Sequence, residues 1–263
     1  MSEQSNWTTE ITEVKPNEVR LRGYRIDELM GQTSFAQAIY LALRGELPSP
    51  AVGQLIDAML VSSIDHGATP PSTLAARTAA STGAPLNAAI AAGVLSINRF
   101  HGGAIQDCMD TLLSLIERSK QSQQPIGKVA DDLVAEYTDQ GRRFAGLGHR
   151  IHTNDPRSAR LFALAEQAGV SGQGVKAIHA LVESYARRGK NLPINVDGAL
   201  AAILVDLQFP PELGNAFFII ARVPGLVAQI YEEQTTQKPM RHIHPTDQKY
   251  AGPPARVLEE KHG

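Results

Sequence analysis

The sequence predicts a mostly α-helical protein with a short β-hairpin at its N-terminus. Three observations carry that expectation. From residue 34 onward apolar residues recur at helical spacing, Gly and Pro fall where helices would start and stop, and alternation is confined to residues 7–25. With 263 residues, 43% of them apolar, the chain can bury a substantial core.

The first element is "WTTEITEVKPNEVRLRGYR" (7–25), two alternating runs that predict a hairpin turning at "KPNE". "SFAQAIYLALRG" (34–45) has helical spacing and a Gly45 stop, and "SPAVGQLIDAMLVSSIDHG" (49–67) repeats the pattern between Pro50 and Gly67. Residues 72–97, rich in Ala, Ser and Gly, predict two closely packed helices broken at "TGAP", with Leu74, Leu86, Ile90, Val94, Leu95 and Ile97 as the apolar stripe. "GAIQDCMDTLLSLIERSKQ" (103–121) is amphipathic, with Ile105, Met109, Leu112, Leu113 and Ile116 at core spacing. Further helices are expected at 126–139, 156–168, 172–188, 197–207 and 211–234, the last two separated by "QFPP". The polar stretches at 121–125 and 141–155 bound a smaller lobe.

A net charge of −2 with no long Lys/Arg run supplies no field for nucleic acid or an acidic membrane, and 5% aromatic residues leave little for stacking on single-stranded bases. Small molecules or proteins are the expected partners. The single cysteine, Cys108, excludes an internal disulfide, and "MSEQSNWTTEITEV" lacks the basic and apolar regions of a signal peptide, so a cytoplasmic protein is expected. The longest apolar run, 215–231, contains Arg222 and Pro224 and falls short of about 18 uncharged residues, which argues against a membrane span.

Against this apolar frame four polar stretches stand out. In "NRFHGGAIQD", His101 precedes two glycines and a helix start, where free amides would favour a developing negative oxygen; the alternative is a plain loop. His66, in "IDHGATPPS", sits at a helix junction as a carbonyl cap or a ligand. "GLGHRIHTNDPR" (146–157) fixes His149 between Gly148 and Arg150 and opens a helix at Pro156, with Asn154 or Asp155 as cap and Arg157 in the first turn, suited to a carboxylate; the alternative is a loop that is merely polar. In "LPINVDGALAAILVD", Asp197 is an N-cap, a partly desolvated general base, or both. Arg222, in "FFIIARVPGLV", places a permanent charge among apolar side chains and requires an anion, either an internal carboxylate or a ligand.

Together, "RFHGGAIQDCM", "GLGHRIHTNDPRSARL", "NVDGALAAILVDL" and "FFIIARVPGLVAQIYEE", in this order, resemble the citrate synthase family, most of all its short branch, the citryl-CoA lyases, which includes the lyase module of ATP-citrate lyase. "RGYRIDELMGQTSFAQAIYLALRGELP" resembles the family's entry segment and "MRHIHPTDQKYAGP" its C-terminal closure, so the likeness covers residues 20–254. It implies an N-terminal segment (1–30), a large helical domain (31–140) that returns at 216–263, and a smaller lobe (141–215). It further implies a homodimer with a shared active site and a reaction at the α-carbon of an acyl-CoA thioester.

By position His101, His149 and Asp197 match the catalytic trio, and His66, Arg157, Arg222 and Arg241 match carboxylate holders, the last donated by the neighbouring subunit. Gly146, Leu147 and Gly148 match the stretch against the CoA adenine. Coenzyme A enters as thioester substrate or product, with no permanently bound cofactor and no metal; "HIH" (242–244) has no Cys or third ligand nearby.

The resemblance implies cleavage of citryl-CoA to acetyl-CoA and oxaloacetate. Its alternatives are condensation by a citrate or alkylcitrate synthase, or a non-catalytic helical partner that binds a CoA ester. Without an ATP-grasp or CoA-ligase segment, a separate citrate–CoA ligase would have to supply the thioester.

Overall fold

The structure, a computed structural model, describes residues 7–148, 155–241, 251–252 and 254. Among these the N-terminal alternation forms a three-stranded antiparallel sheet in the order β1 (Thr12–Lys15), β2 (Glu18–Leu21) and β3 (Tyr24–Arg25). The expected turn lies at Pro16–Asn17, where Lys15 faces Glu18 across the register. The third strand departs from the single hairpin expected. A second turn at Arg22 and Gly23, both at positive φ, adds two residues too short for any periodicity to register.

Eleven α-helices follow among the described residues. The short α1 (Ile26–Leu29) leads to α2 (Phe35–Arg44), opened by a Ser34/Gln37 capping box and closed by left-handed Gly45. Helix α3 (Pro50–Ser62) starts on the Ser49 cap and stops at Ser62, five residues short of the expected Gly67. There the Ser62 and Ser63 carbonyls accept bonds from arginines of distant elements instead of continuing the helix.

The Ala-rich stretch is indeed two helices, α4 (Pro71–Ser81) and α5 (Leu86–Leu95), followed by α6 (Ala104–Ser122) and α7 (Ile126–Asp139). Next come α8 (Pro156–Gln167), α9 (Gln173–Arg187) and α10 (Val196–Asp206), and a 3-10 turn at Pro211–Leu213 feeds α11 (Gly214–Thr236).

Two hydrophobic clusters organise these helices. The main core surrounds α10, whose residues Gly198–Val205 are all buried against α6, α8 and α9. A helix apolar on every side belongs at the centre of a bundle, and the sequence "GALAAILV" leaves no face for water. The smaller cluster joins α4, α5 and α11 through Ala76, Ala80, Ala89, Leu226 and Ile230. By length and composition Pro211–Thr236 is long and apolar enough to cross a bilayer, contrary to the sequence expectation. Here it packs against α3, α4, α5 and α6, with Phe217, Ala221, Leu226 and Ile230 buried.

Candidate active site

The end of α3, the start of α4, the turn before α6, the first turns of α8 and α10 and the middle of α11 bring the polar residues together. His101 sits in a tight turn where Asn98 and His101 exchange backbone hydrogen bonds of 2.9 and 2.8 Å. Gly102 permits that turn. It adopts φ +85°, and a Cβ there would lie 2.7 Å from both Ile97 and Phe218.

The His101 Nε2 atom lies 2.8 Å from the hydroxyl of Ser72, a fully buried residue in the first turn of α4, and the ring stands edge-on to Phe218 at 5.6 Å. Burial, together with the positive charges of Arg222 and His66, holds the His101 pKa below the ordinary histidine range, so the imidazole is neutral at pH 7.

Arg222 is 2% exposed on α11. Its Nε donates to the Ser63 carbonyl at 3.1 Å and its guanidinium lies 4.5 Å over the Phe218 ring, while its Nη1 is buried with no hydrogen-bond partner. Burial lowers its pKa, opposed by the charges of Asp65 and Asp197. Among the described residues no carboxylate forms an ion pair with it, so the internal partner allowed by the sequence is absent there.

Arg157 is differently engaged. Asp155, 1% exposed, caps α8 and grips the Arg157 guanidinium through Oδ1 at 3.1 Å and Oδ2 at 2.9 Å, and Arg157 Nη1 donates to the Ser62 carbonyl at 3.3 Å. The sequence anticipated the cap but not the ion pair, which gives Arg157 an internal carboxylate. The two arginines thus anchor on adjacent carbonyls at the negative end of α3. His66 lies exposed in the turn beyond that end rather than on the helix itself.

Asp197 is not the cap of α10; Asn195 is, its side chain accepting from the Gly198 N–H at 3.1 Å. Asp197 falls in the first turn, half-buried. Burial raises its pKa above the usual carboxylate range, partly offset by the charges of Arg157 and Arg222 and reinforced by that of Asp155. Its position depends on a backbone crossing: a Cβ on Gly198 would lie 2.3 Å from the Gly146 carbonyl oxygen, and Gly146 itself adopts φ +83°. Leu147 pairs with Ile194, and the Gly148 N–H donates to the Pro193 carbonyl at 2.7 Å, which seats Gly146, Leu147 and Gly148 against the start of α10. His149, and with it "HIH" at 242–244, lies outside the described residues.

Beside this strip a cleft of about 650 Å³ is lined by Arg142, Arg143 and Lys190 and by Phe144, Leu147, Tyr185 and Leu192. Cations around an aromatic and aliphatic floor suit a phosphorylated nucleotide. Arg241 is not part of this cluster within the chain. It binds Glu233, which also accepts from Arg77 Nε at 2.7 Å, three turns further along α11 than Arg222, about 16 Å at the helical rise.

Ser72 and Asn195 escaped the sequence reading. Ser72 is one hydroxyl in "PPSTLAARTAAS", with nothing to single it out, whereas Asn195 could have been found as the better-placed cap one residue ahead of the helix.

Residues 48–245 match the model of the citrate synthase C-terminal domain. The chain belongs to the citrate synthase family. Its fold superposes on the citryl-CoA lyase of Hydrogenobacter thermophilus with a TM-score of 0.87 and 44% identity, over 96% of this chain and 97% of that one. The citrate synthase of Haloferax volcanii is 29% identical over 210 residues, 78% of this chain and 53% of its own, so the chain spans about half the length of that relative. An ATP citrate lyase from Methanosaeta concilii, solved with (3S)-citryl-CoA, shares the fold at a TM-score of 0.80 and 19% identity, over 97% of this chain and 43% of that one.

Proposed function

We propose that this citrate synthase family member is a citryl-CoA lyase, cleaving citryl-CoA or a close analogue to acetyl-CoA and oxaloacetate. The observation that carries the reading is the buried, unpartnered Nη1 of Arg222 in the same electrostatic neighbourhood as Asp197 and His101. A buried guanidinium nitrogen without a partner is costly, and a substrate carboxylate relieves that cost. The near full-length likeness to the Hydrogenobacter lyase supports the cleaving direction.

In this mechanism Arg222, Arg157 and His66 orient the carboxylates, and His149 takes the proton of the citryl hydroxyl. The carbon–carbon bond then breaks: the hydroxyl carbon becomes the oxaloacetate carbonyl, and the bonding pair passes into the thioester as an enolate. The Ser72 hydroxyl donates to His101 Nε2, which leaves the proton on Nδ1, and a neutral imidazole then donates to the enolate oxygen. Asp197, whose pKa burial raises, acts in its protonated form and returns a proton to the acetyl carbon. The carboxylate left behind is the base of the reverse reaction. Cleavage therefore loses rate as pH rises through the Asp197 pKa, and condensation loses rate as pH falls through it.

The CoA nucleotide occupies the cleft of Arg142, Arg143 and Lys190, against Gly146–Gly148. The smaller lobe, 141–215, carries that cleft and Asp197, and the large domain carries His101 and Arg222. The protein works as a homodimer. Helix α5, "LNAAIAAGVL", buries only Ala89 and Gly93 within the chain and leaves Leu86 and Leu95 45% and 77% exposed, an apolar face that a second copy would cover. Arg241 then serves the neighbouring subunit's site. No resident cofactor is required, a separate ligase supplies the thioester, and the buried free thiol of Cys108 suits the cytoplasm.

Purified protein given citryl-CoA, and separately acetyl-CoA plus oxaloacetate, tests the reading by the release of oxaloacetate and of free CoA. Prompt cleavage is expected. Brisk condensation with no cleavage of citryl-CoA would assign a synthase instead.

A further inference from the structure

Asn195 uses every polar group it has to join two segments. Its Oδ1 accepts from the Gly198 N–H at 3.1 Å and its carbonyl accepts from the Ala199 N–H at 3.1 Å, which fixes the first turn of α10. Its backbone N–H donates to the Gly146 carbonyl at 3.1 Å and its Nδ2 to the Gly148 carbonyl at 3.0 Å, which fixes the strip across from that turn. Asp197 lies between the two anchored ends of the first set, and the Gly148 carbonyl belongs to the peptide unit that joins His149 to the chain.

We propose that Asn195 is a positioning residue that holds the Asp197 carboxyl and the Gly146–Gly148 strip in one fixed relation through a single side chain. The proposal rests on the lyase reading of the site. Only an amide of this length supplies an acceptor for the cap and a donor for the carbonyl at the same time. Aspartate would keep the cap and turn a carboxylate toward the Gly148 oxygen; serine would cap the helix without reaching across. The crossing leaves no slack to absorb either change, since Gly198 and Gly146 already meet backbone to backbone. The Gly148–Pro193 and Leu147–Ile194 pairings are backbone bonds that both variants retain, so the strip stays in place while its alignment loosens.

Asn195→Ser and Asn195→Asp in the full chain test this, with turnover normalised to the number of CoA sites measured by calorimetry. The expected result is a kcat for citryl-CoA cleavage lowered about 10- to 100-fold, the loss that an ångström-scale misplacement produces. KM and CoA stoichiometry should stay within about three-fold, because binding does not depend on that alignment. Should the aspartate variant fail to fold, the serine variant carries the test. A normalised kcat that matches wild type, or a loss of turnover fully matched by a loss of CoA sites, would overturn the positioning role and leave the lyase reading intact. Wild-type protein that turns over neither substrate set would overturn the lyase reading itself.

Discussion

One buried arginine faces helix α11 and another stands on it, and they differ in what meets them. Arg77 on α4 is 7% exposed and reaches Glu233 at 2.7 Å, Gln229 at 2.7 Å and Glu232 at 3.2 Å on α11. Arg222, on α11 itself, is 2% exposed and has a carbonyl, an aromatic face and one nitrogen with no partner. A buried charge that is fully answered belongs to the scaffold, and one that is left under-satisfied marks a place where something else binds. Helix α11 carries Arg222 and, three turns further on, the Glu233 that answers Arg77.

That contrast is broken most directly by replacing each arginine with leucine. Arg77→Leu leaves Glu233, 2% exposed, with Arg241 as its remaining cationic partner, and should cost about 1.5–3 kcal/mol of stability by denaturant unfolding. Part of that loss has a pH signature. Arg241 first, and Arg77 with it, hold the Glu233 pKa below the usual carboxylate value, so the two pairings together stabilise the fold above the unfolded-state pKa and fade as pH falls through the depressed one. Arg222→Leu should instead leave stability nearly unchanged and remove dicarboxylate binding, read by calorimetry with oxaloacetate. A large stability loss with intact binding would make Arg222 the structural partner of an acid, and the two arginines would be alike.

The next largest effect sharpens the same distinction at Asp197, another charge held where water would serve it better. Asp197→Asn should lower turnover by on the order of 10³-fold while CoA still binds. Its raised pKa sets the sign of the stability change: the carboxyl favours the fold only while protonated, and that contribution is lost as pH rises through the folded-state value. At pH 7 the neutral amide should therefore match or raise Tm, as expected where a site trades stability for activity. A lowered Tm together with undiminished turnover would make Asp197 part of the scaffold.

The helical frame was legible because its signals are local. The Gly45 stop and apolar spacing predict α2, and apolar spacing predicts α6, without reference to neighbours, and the isolation of Arg222 among apolar residues is visible in eleven letters. What was not legible depends on distant partners. Where α3 ends, Arg157 and Arg222, far along the chain, take up the carbonyls of Ser62 and Ser63, and nothing in "SSIDHG" records those partners. Asp155 reads as a cap, and nothing local shows that its carboxylate also pairs with Arg157. Two residues of β3 carry too little pattern to be seen at all.

The smallest effect concerns Ser72, which the sequence concealed. Its hydroxyl is fully buried and its one side-chain bond is to His101 Nε2, so Ser72→Ala removes little volume and leaves the imidazole free to choose its tautomer. If the role of Ser72 is to keep the proton on Nδ1, some of the histidine population will now hold it on Nε2 and offer the enolate no donor. A loss of one hydrogen bond's worth of orientation, about 1.4 kcal/mol, corresponds to about a ten-fold drop in kcat. KM should stay constant, since the arginines still hold the carboxylates. The comparison with Arg77 then gains a third case, a neutral side chain whose burial serves the chemistry of its neighbour. An unchanged kcat at equal Tm would show that His101 is oriented by its own Asn98 turn and by Phe218, with the serine only filling space.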